Sequence, residues 1–322
     1  MIVVPEAACP GLLDFDAAFA AVEQVFAAMA RGDAWNFPVV REAIGHEDAL
    51  YGFKGGFDRA GAVLGLKAGG YWPHNLAVRG ITNHQSTVFL FDPDTGRPAA
   101  LVGGNYLTAA RTAAASAVAI RYLARPDARV LGIVGAGHQS GFQLRAALRQ
   151  RPFEKVVAWN RNPARLDRLA GIAAEHGLPF EAVDLDQLGA QADVIVTIAS
   201  SFAPILKAAQ IRPGTHLSCM GTDTKGKQEV EAALLARATL FTDEPAQSVT
   251  IGEAQHAVAA GLIDPAAIAQ LGAVIEGIHP GRTASEEITL FDGTGVGLQD
   301  LAVAARIVDL AIAAGTATKI EI

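Results

Sequence analysis

From Asp14 onward the apolar residues Phe15, Phe19, Val22, Val25, Phe26 and Met29 recur at three- and four-residue spacing, the period of one helical face. The spacing predicts an amphipathic first helix, with Asp14 or Asp16 placed to cap it. Between Leu50 and Val102 the texture changes to short, glycine-punctuated runs: Ala62 to Leu66, Thr87 to Phe91 and Pro98 to Val102. Asp92-Pro93-Asp94-Thr95-Gly96 forms a turn between two of them, and an antiparallel sheet is expected. Leu107 to Leu123 returns to a helical period and ends near Arg125-Pro126-Asp127, read as a hinge.

A second pattern follows. Val130 to Val134, Val156 to Asn160, Val194 to Ile198, His216 to Met220 and Leu240 to Thr242 are short, continuous apolar runs. Several are separated by helical stretches such as Gln143 to Arg149 and Pro163 to Glu175. Strand alternating with helix implies a parallel sheet with helices on both faces. A loop, Phe291 to Gly297, precedes a last helix, Leu298 to Ala314, which is expected to return to the first domain.

Composition narrows the function classes. The chain has 322 residues, 51% of them hydrophobic and 18% charged, enough for about two domains. A net charge of −7 repels phosphate backbones and anionic membranes, so nucleic acid and membrane are set aside in favour of a small ligand. Two cysteines, Cys9 and Cys219, make no disulfide framework, and no cysteine or histidine cluster offers a metal site. With no basic leader and no apolar run of about 20 residues, a cytoplasmic protein is expected.

The chemistry-bearing motif is Val130-Leu131-Gly132-Ile133-Val134-Gly135-Ala136-Gly137-His138-Gln139-Ser140. It is a strand entering Gly-x-Gly-x-x-Ser and then a helix. Gly135 permits the tight turn, Gly137 lets backbone approach a pyrophosphate, and the helix N-terminus supplies free N–H groups. A dinucleotide is therefore expected on Gly135, Ala136, Gly137, His138, Gln139 and Ser140, with Ala199, Met220, Gly221 and Lys227 as further cofactor candidates. At the end of the second strand, where an acid would grip the ribose of NAD, stand Asn160 and Arg161. A guanidinium there suits the 2′-phosphate of NADP, and the alternative is that Arg161 covers the adenine of NAD.

Four cations interrupt apolar or glycine-rich segments: Arg41, Lys54, Lys67 and Arg111. Each must pair, snorkel or face a ligand, and any one alone reads as a structural cation. Together they suit a substrate with one or two carboxylates. Asp223, in Met220-Gly221-Thr222-Asp223-Thr224-Lys225-Gly226-Lys227, follows a strand at the edge where open sheets bind ligands, although Asp beside glycine is also a turn former. His84 is either a proton donor or a hydrogen-bonded sheet histidine. No Gly-x-Ser-x-Gly elbow, Walker loop or His-Glu-x-x-His is present.

Several blocks in order carry a resemblance: Gly65-Leu66-Lys67 with Pro73-His74-Asn75, Leu90 to Pro98, Leu107 to Ala114, Gly135 to Ser140, Gly221 to Lys227, and Leu290 to Gly295. Together they resemble the ornithine cyclodeaminase and mu-crystallin family over nearly the whole chain. The resemblance implies a Rossmann-type doubly wound parallel sheet inserted into a smaller α+β domain for substrate binding and dimerisation, assembled as a homodimer. That gives residues 1–118 plus 297–322 for the smaller domain and 119–296 for the dinucleotide domain. It further implies that Arg41, Lys67 and Arg111 match the family's carboxylate ligands and Asp223 its acid/base carboxylate. Thr112, Gly135, Gly137, Gln139 and Ser140 match its cofactor-phosphate contacts.

Members include cyclodeaminases, alanine dehydrogenases, pyrroline-carboxylate reductases and iminosuccinate reductase. True ornithine cyclodeaminases carry a glutamate before a Met-Pro pair in the segment that here reads Tyr51-Gly52-Phe53-Lys54-Gly55-Gly56. With that acid absent and Lys54 nearby, an ammonium side chain on the substrate is disfavoured, and a second carboxylate or a short neutral side chain is favoured. The expected activity is NAD(P)H-dependent reduction of a small 2-imino acid, reversible as amino-acid oxidation. The alternatives are a cyclodeaminase, a cyclic ketimine or pyrroline-carboxylate reductase, and a non-catalytic dinucleotide-binding protein.

Overall fold

The computed structural model describes residues 1–321. The chain forms two compact units, one made of Met1–Arg111 with the chain from Val296 onward, the other of Thr112–Gly295.

The first unit is built on a sheet of β1 (Ile2–Val4), β2 (Ala34–Asn36), β3 (Val40–Ala43), β4 (Leu50–Asp58), β5 (Val63–Tyr71), β6 (His84–Phe91) and β7 (Pro98–Gly103), with a short terminal strand Thr318–Lys319. Its order is terminal strand, β1, β7, β6, β5, β4, β2, with β3 also on β4. β1 runs parallel to β7, and the pairs among β2 to β7 are antiparallel. After a short helix at Cys9–Leu12, the helix Phe15–Ala30 is capped by Asp14, whose side chain accepts from the Ala17 N–H at 2.7 Å. Its buried stripe includes Phe19, Val22, Val25 and Phe26 and packs on the closing helix Gly297–Ala313.

Cross-strand register decides which side chains share a face, because directly opposed residues point the same way. Lys54 opposes Lys67, Gly56 opposes Gly65, and Arg41 opposes Gly52. The closing helix covers this face closely. A Cβ on Gly56 would stand 3.0 Å from the Leu298 side chain, and one on Gly65 would stand 3.1 Å from that of Leu301. The other face carries Trp35, Tyr51, Phe53 and Phe89, between 36% and 43% exposed.

The second unit holds an all-parallel sheet of β8 (Val130–Val134), β9 (Lys155–Trp159), β10 (Phe180–Ala182), β11 (Val194–Thr197), β13 (His216–Cys219), β15 (Ala238–Thr242), β16 (Ile268–Gln270) and β17 (Ile288–Asp292). β12 (Phe202–Leu206) and β14 (Gln228–Val230) form a separate parallel pair. The large sheet runs β10-β9-β8-β11-β13-β17-β15-β16. Chain order therefore reverses direction between β8 and β11, and the carboxyl ends of strands at such a reversal are where open α/β sheets bind ligands. Asp193, just before β11, pins the start of β8 by accepting from the N–H groups of Arg129 (2.7 Å) and Val130 (2.9 Å). It also binds Arg125 at 2.7 Å, so the Arg125-Pro126-Asp127 segment is tied within this unit.

Two local expectations are corrected. Phe291 and Asp292, read as loop, end β17, a fully buried strand between β13 and β15. The glycines that follow at Gly293 and Gly295 masked a run that packing on both faces makes a strand. Ala62 is a turn residue with φ +52°, and β5 starts after it and runs on to Tyr71 through Lys67.

Candidate active site

In the first unit the sequence-flagged cations Lys67 and Arg111 converge on one carboxylate, Asp300. Arg111 Nε donates to Asp300 Oδ1 at 2.8 Å, and its Nη1 donates to Gln299 Oε1 at 2.9 Å. Lys67 Nζ makes an ion pair with Asp300 Oδ2 at 2.8 Å and donates to Thr108 Oγ1 at 3.4 Å. Thr108 and Arg111 lie one turn apart on the helix Asn105–Leu123 and so share a face. Asp300 is fully buried in the first turn of the closing helix, where the helix dipole favours an anion.

Burial pushes Lys67 down to about 7, and the Arg111 and Lys54 charges add to that fall while Asp300 opposes it. Burial pushes Asp300 up, but Arg111 and Lys67 outweigh it and hold its carboxyl below the ordinary value. Lys54, half-buried, acts on both through its charge. Arg41, also half-buried, stands on the same face, opposite Gly52, two residues along β4 from Lys54. His84 opposes Tyr71 at the far end of β5, four residues from Lys67, or about 13 Å along the strand.

In the second unit the glycine loop has the shape that a pyrophosphate requires. Gly135 has φ +110°, and a Cβ there would lie 2.7 Å from the Ile198 carbonyl oxygen, so only glycine fits. At Gly137 an added Cβ would meet nothing within 4 Å, which leaves open room above the turn. Gln139 Oε1 is buried without a hydrogen-bond partner beside the helix Ser140–Leu148. The geometry at the two glycines fits a dinucleotide phosphate, to which Gln139 would have to present its amide NH2 and not this oxygen. Ser140 is buried, donates to the Gly137 carbonyl at 2.8 Å and accepts from Arg168, which also binds that carbonyl. His138 is exposed, and partial burial and then the Arg168 charge lower its pKa.

Asn160 accepts from the Ala136 N–H at 3.1 Å and donates to the Asn162 carbonyl at 2.7 Å. It thus braces the glycine loop from the end of β9, while Arg161 is exposed beside it. Thr112 is buried at the start of this unit, and Met220 is buried after β13. Ala199 and Gly221 are joined through Glu229, which accepts from both backbone N–H groups. Asp223 Oδ1 receives Lys227 Nζ at 2.8 Å and Thr224 Oγ1 at 3.2 Å. Lys227, a cofactor candidate from the sequence, therefore partners the candidate acid. No group of three or more potential metal ligands occurs among the described residues.

Sequence reasoning missed Asp300, Gln299, Glu229 and Arg168. A signal existed for the first two, since Gln299-Asp300 interrupts the apolar run from Leu298 to Ala304. Replacing Asp300 by Asn should strand two buried cations, and the unfolding free energy in urea should drop by about 3 kcal/mol at pH 6. The loss should shrink at pH 9, where Lys67 is neutral in the parent and needs no counter-charge. A loss independent of pH would contradict this account.

A model of the ornithine cyclodeaminase/mu-crystallin family matches residues 7–315. The iminosuccinate reductase of Paracoccus denitrificans (strain Pd 1222) is 64% identical over 322 residues, 100% of each chain. The crystal structure of that enzyme in complex with NAD+ superimposes with TM-score 0.96 over 100% of this chain and 99% of that one. An archaeal alanine dehydrogenase dimer with bound NAD, 30% identical, gives TM-score 0.94 over 100% of this chain and 99% of that one. The Δ1-pyrroline-2-carboxylate reductase of Thermococcus litoralis, in complex with NADH and L-proline, gives 0.94 at 26% identity over 99% and 100%. The chain belongs to the ornithine cyclodeaminase/mu-crystallin family.

Proposed function

We propose that the chain is an NADH-dependent imine reductase acting on iminosuccinate or a similarly small, anionic 2-imino acid, reversible as an amino-acid dehydrogenase. The observation that carries this reading is the group of three cations, Lys54, Lys67 and Arg111, around the single carboxylate of Asp300. The full-length 64% identity to a protein named iminosuccinate reductase points the same way. In this reading residues 119–296 bind the dinucleotide, and residues 1–118 with 297–322 bind the substrate and make the dimer.

Arg41, Lys67 and Arg111 hold the α-carboxylate by charge-assisted hydrogen bonds, and Lys54 takes the second carboxylate. Asp300 and Gln299 fix the guanidinium of Arg111, so little ordering remains to be done when substrate binds. The glycine loop from Gly135 to Ser140, with Thr112, Asn160, Ala199, Met220 and Gly221, holds the dinucleotide, whose reduced nicotinamide supplies the hydride. Asp223 balances the positive charge of the protonated imine nitrogen and holds its proton, with Lys227 fixing the carboxylate's orientation. Lys67 Nζ is the alternative proton donor. Arg161 offers a cation for a 2′-phosphate, so NADPH is tolerated at lower efficiency.

The partner is a second copy, docked on the exposed apolar face that carries Trp35, Tyr51, Phe53 and Phe89. The buried free thiols of Cys9 and Cys219 agree with a cytoplasmic address. No helix among the described residues is long and apolar enough to cross a membrane.

The following outcomes test this reading. Absorbance at 340 nm should show NADH oxidation fastest with oxaloacetate plus ammonia, slower with pyruvate plus methylamine and slowest with Δ1-pyrroline-2-carboxylate. Lys54→Met should raise KM at least ~10-fold for the dicarboxylate imine and little for the pyruvate imine. An equal effect on both removes Lys54 from side-chain recognition, and complete refusal of NADPH removes the role given to Arg161.

Reductive kcat/KM should fall as pH rises through about 7, because burial depresses Lys67 and its charge exists only below that value. In kcat the inflection should move to higher pH, since a bound carboxylate favours the ammonium. Finally, sedimentation should give twice the chain mass, and Phe53→Lys with Phe89→Lys should give monomer with intact NADH binding.

A further inference from the structure

Glu229 and Glu253 are buried acids of the second unit that the reaction described above does not use. Glu229, on β14, gathers three donors: the Ala199 N–H at 2.5 Å, the Gly221 N–H at 2.8 Å and the Thr197 hydroxyl at 2.7 Å. Those donors come from the end of β11 and from the segment after β13, two chain ends that border the sheet's carboxyl edge. Glu253 accepts from the N–H groups of Glu229 at 2.9 Å and Val230 at 2.8 Å and from the Thr222 hydroxyl at 2.5 Å.

The fit is tight. A Cβ on Gly221 would stand 2.1 Å from the Ala199 carbonyl oxygen and 2.5 Å from Glu229 Oε1, so no other residue fits there. Beyond Gly221 the loop is held again by the segment that carries Glu253. Gln255 Oε1 accepts from the Gly226 N–H at 2.7 Å, and the His256 ring lies 3.0 Å from the Lys227 carbonyl. The stretch from Gly221 to Lys227, which bears Asp223, is thus clasped at both ends.

We propose that Glu229 and Glu253 are positioning residues for this reaction: their ionised carboxylates draw the Ala199 turn and the 221–227 loop together and so fix Asp223 and the dinucleotide-facing backbone. The proposal rests on the reading that this edge binds a dinucleotide. Its physical basis is that carboxylates grip N–H and O–H donors about twice as strongly when ionised as when neutral. Burial raises both acids to about 7, and the Glu229 charge adds to the rise of Glu253, so the grip changes strength near neutral pH. Other groups bear on the pair. Lys227 lowers Glu229, and Asp292, raised to about 8 by burial, stands near Glu253 with Asp243 behind it. The Cys219 thiol is kept neutral by burial and by these acids, and His256 touches the loop backbone.

The test has one arm without ligand and one with NADH, on the full-length wild type, Glu229→Gln and Thr197→Val. In hydrogen–deuterium exchange at pH 8 without cofactor, Glu229→Gln should speed exchange at residues 199–201 and 221–227 at least ~5-fold and leave β8 to β10 unchanged. Fluorescence titration of NADH should show wild-type affinity weakening several-fold as pH falls from 8 to 6. The Thr197→Val variant, which lacks one donor to the ionised form, should show the same transition at higher pH, and Glu229→Gln should show a smaller one displaced to lower pH, because Glu253 remains but no longer feels the Glu229 charge. Protonation of His138 would have the opposite sign, since a cation beside the glycine loop tightens phosphate binding.

Unchanged exchange in Glu229→Gln, or parallel affinity profiles in all three proteins, overturns the positioning role while leaving the dinucleotide reading intact. Wild type that binds no NADH but shows the exchange response overturns the dinucleotide reading and with it the part of the proposal that concerns the cofactor. Should Glu229→Gln fail to fold, Thr197→Val decides alone by its shifted or unshifted transition.

Discussion

A single buried carboxylate, Asp300, organises the first unit. It binds Arg111 and Lys67 at 2.8 Å each, and all three side chains are nearly or fully withdrawn from water. Two buried cations without it would carry a desolvation cost of several kcal/mol each. Its place in the closing helix explains why the chain must return after a long excursion. Lys67 and Arg111 are supplied early in the sequence and their counter-charge only near the end, so the unit cannot be assembled from a continuous segment. The close approach of Leu298 and Leu301 to Gly56 and Gly65 is the packing that sets this helix at the right height.

The second unit applies the same physics with the signs exchanged. There the buried charges are acids, and they are satisfied mainly by backbone N–H groups and hydroxyls. Asp193 anchors the strand that leads into the glycine loop, and Glu229 and Glu253 clasp the loops at the opposite end of the sheet. A carboxylate surrounded by fixed N–H donors holds loops in place without an aromatic or apolar contact. Room is thereby left over Gly137 for a ligand.

Much of this was legible in the sequence, for physical reasons. A helix with a 3.6-residue period, continuous apolar runs separated by helices, and glycines at a strand-to-helix turn are local signals, and each appears where periodicity places it. Lys67 and Arg111 were visible because a cation within an apolar segment demands an explanation. Asp300 was harder to see, since an acid in the first turn of a helix is ordinary and only its contacts, 189 and 233 residues away, make it special. β17 was hidden by the glycines that follow it. Glu229 lies in Gln228-Glu229-Val230-Glu231, where alternation suits a surface strand as well as a buried one, and two of its three donors, Thr197 and Ala199, lie 32 and 30 residues away.

The central claim is that the cations around Asp300 form a carboxylate receptor in which Lys67 is neutral above about pH 7 until an anion arrives. Proton uptake on binding measures this directly. Calorimetric titration of the NAD+-loaded enzyme with succinate, in buffers of different ionisation enthalpy, should show about one proton taken up per site at pH 8 and almost none at pH 6. In Lys67→Met the uptake at pH 8 should vanish. Succinate binding with no proton uptake at pH 8 in the wild type would contradict the account.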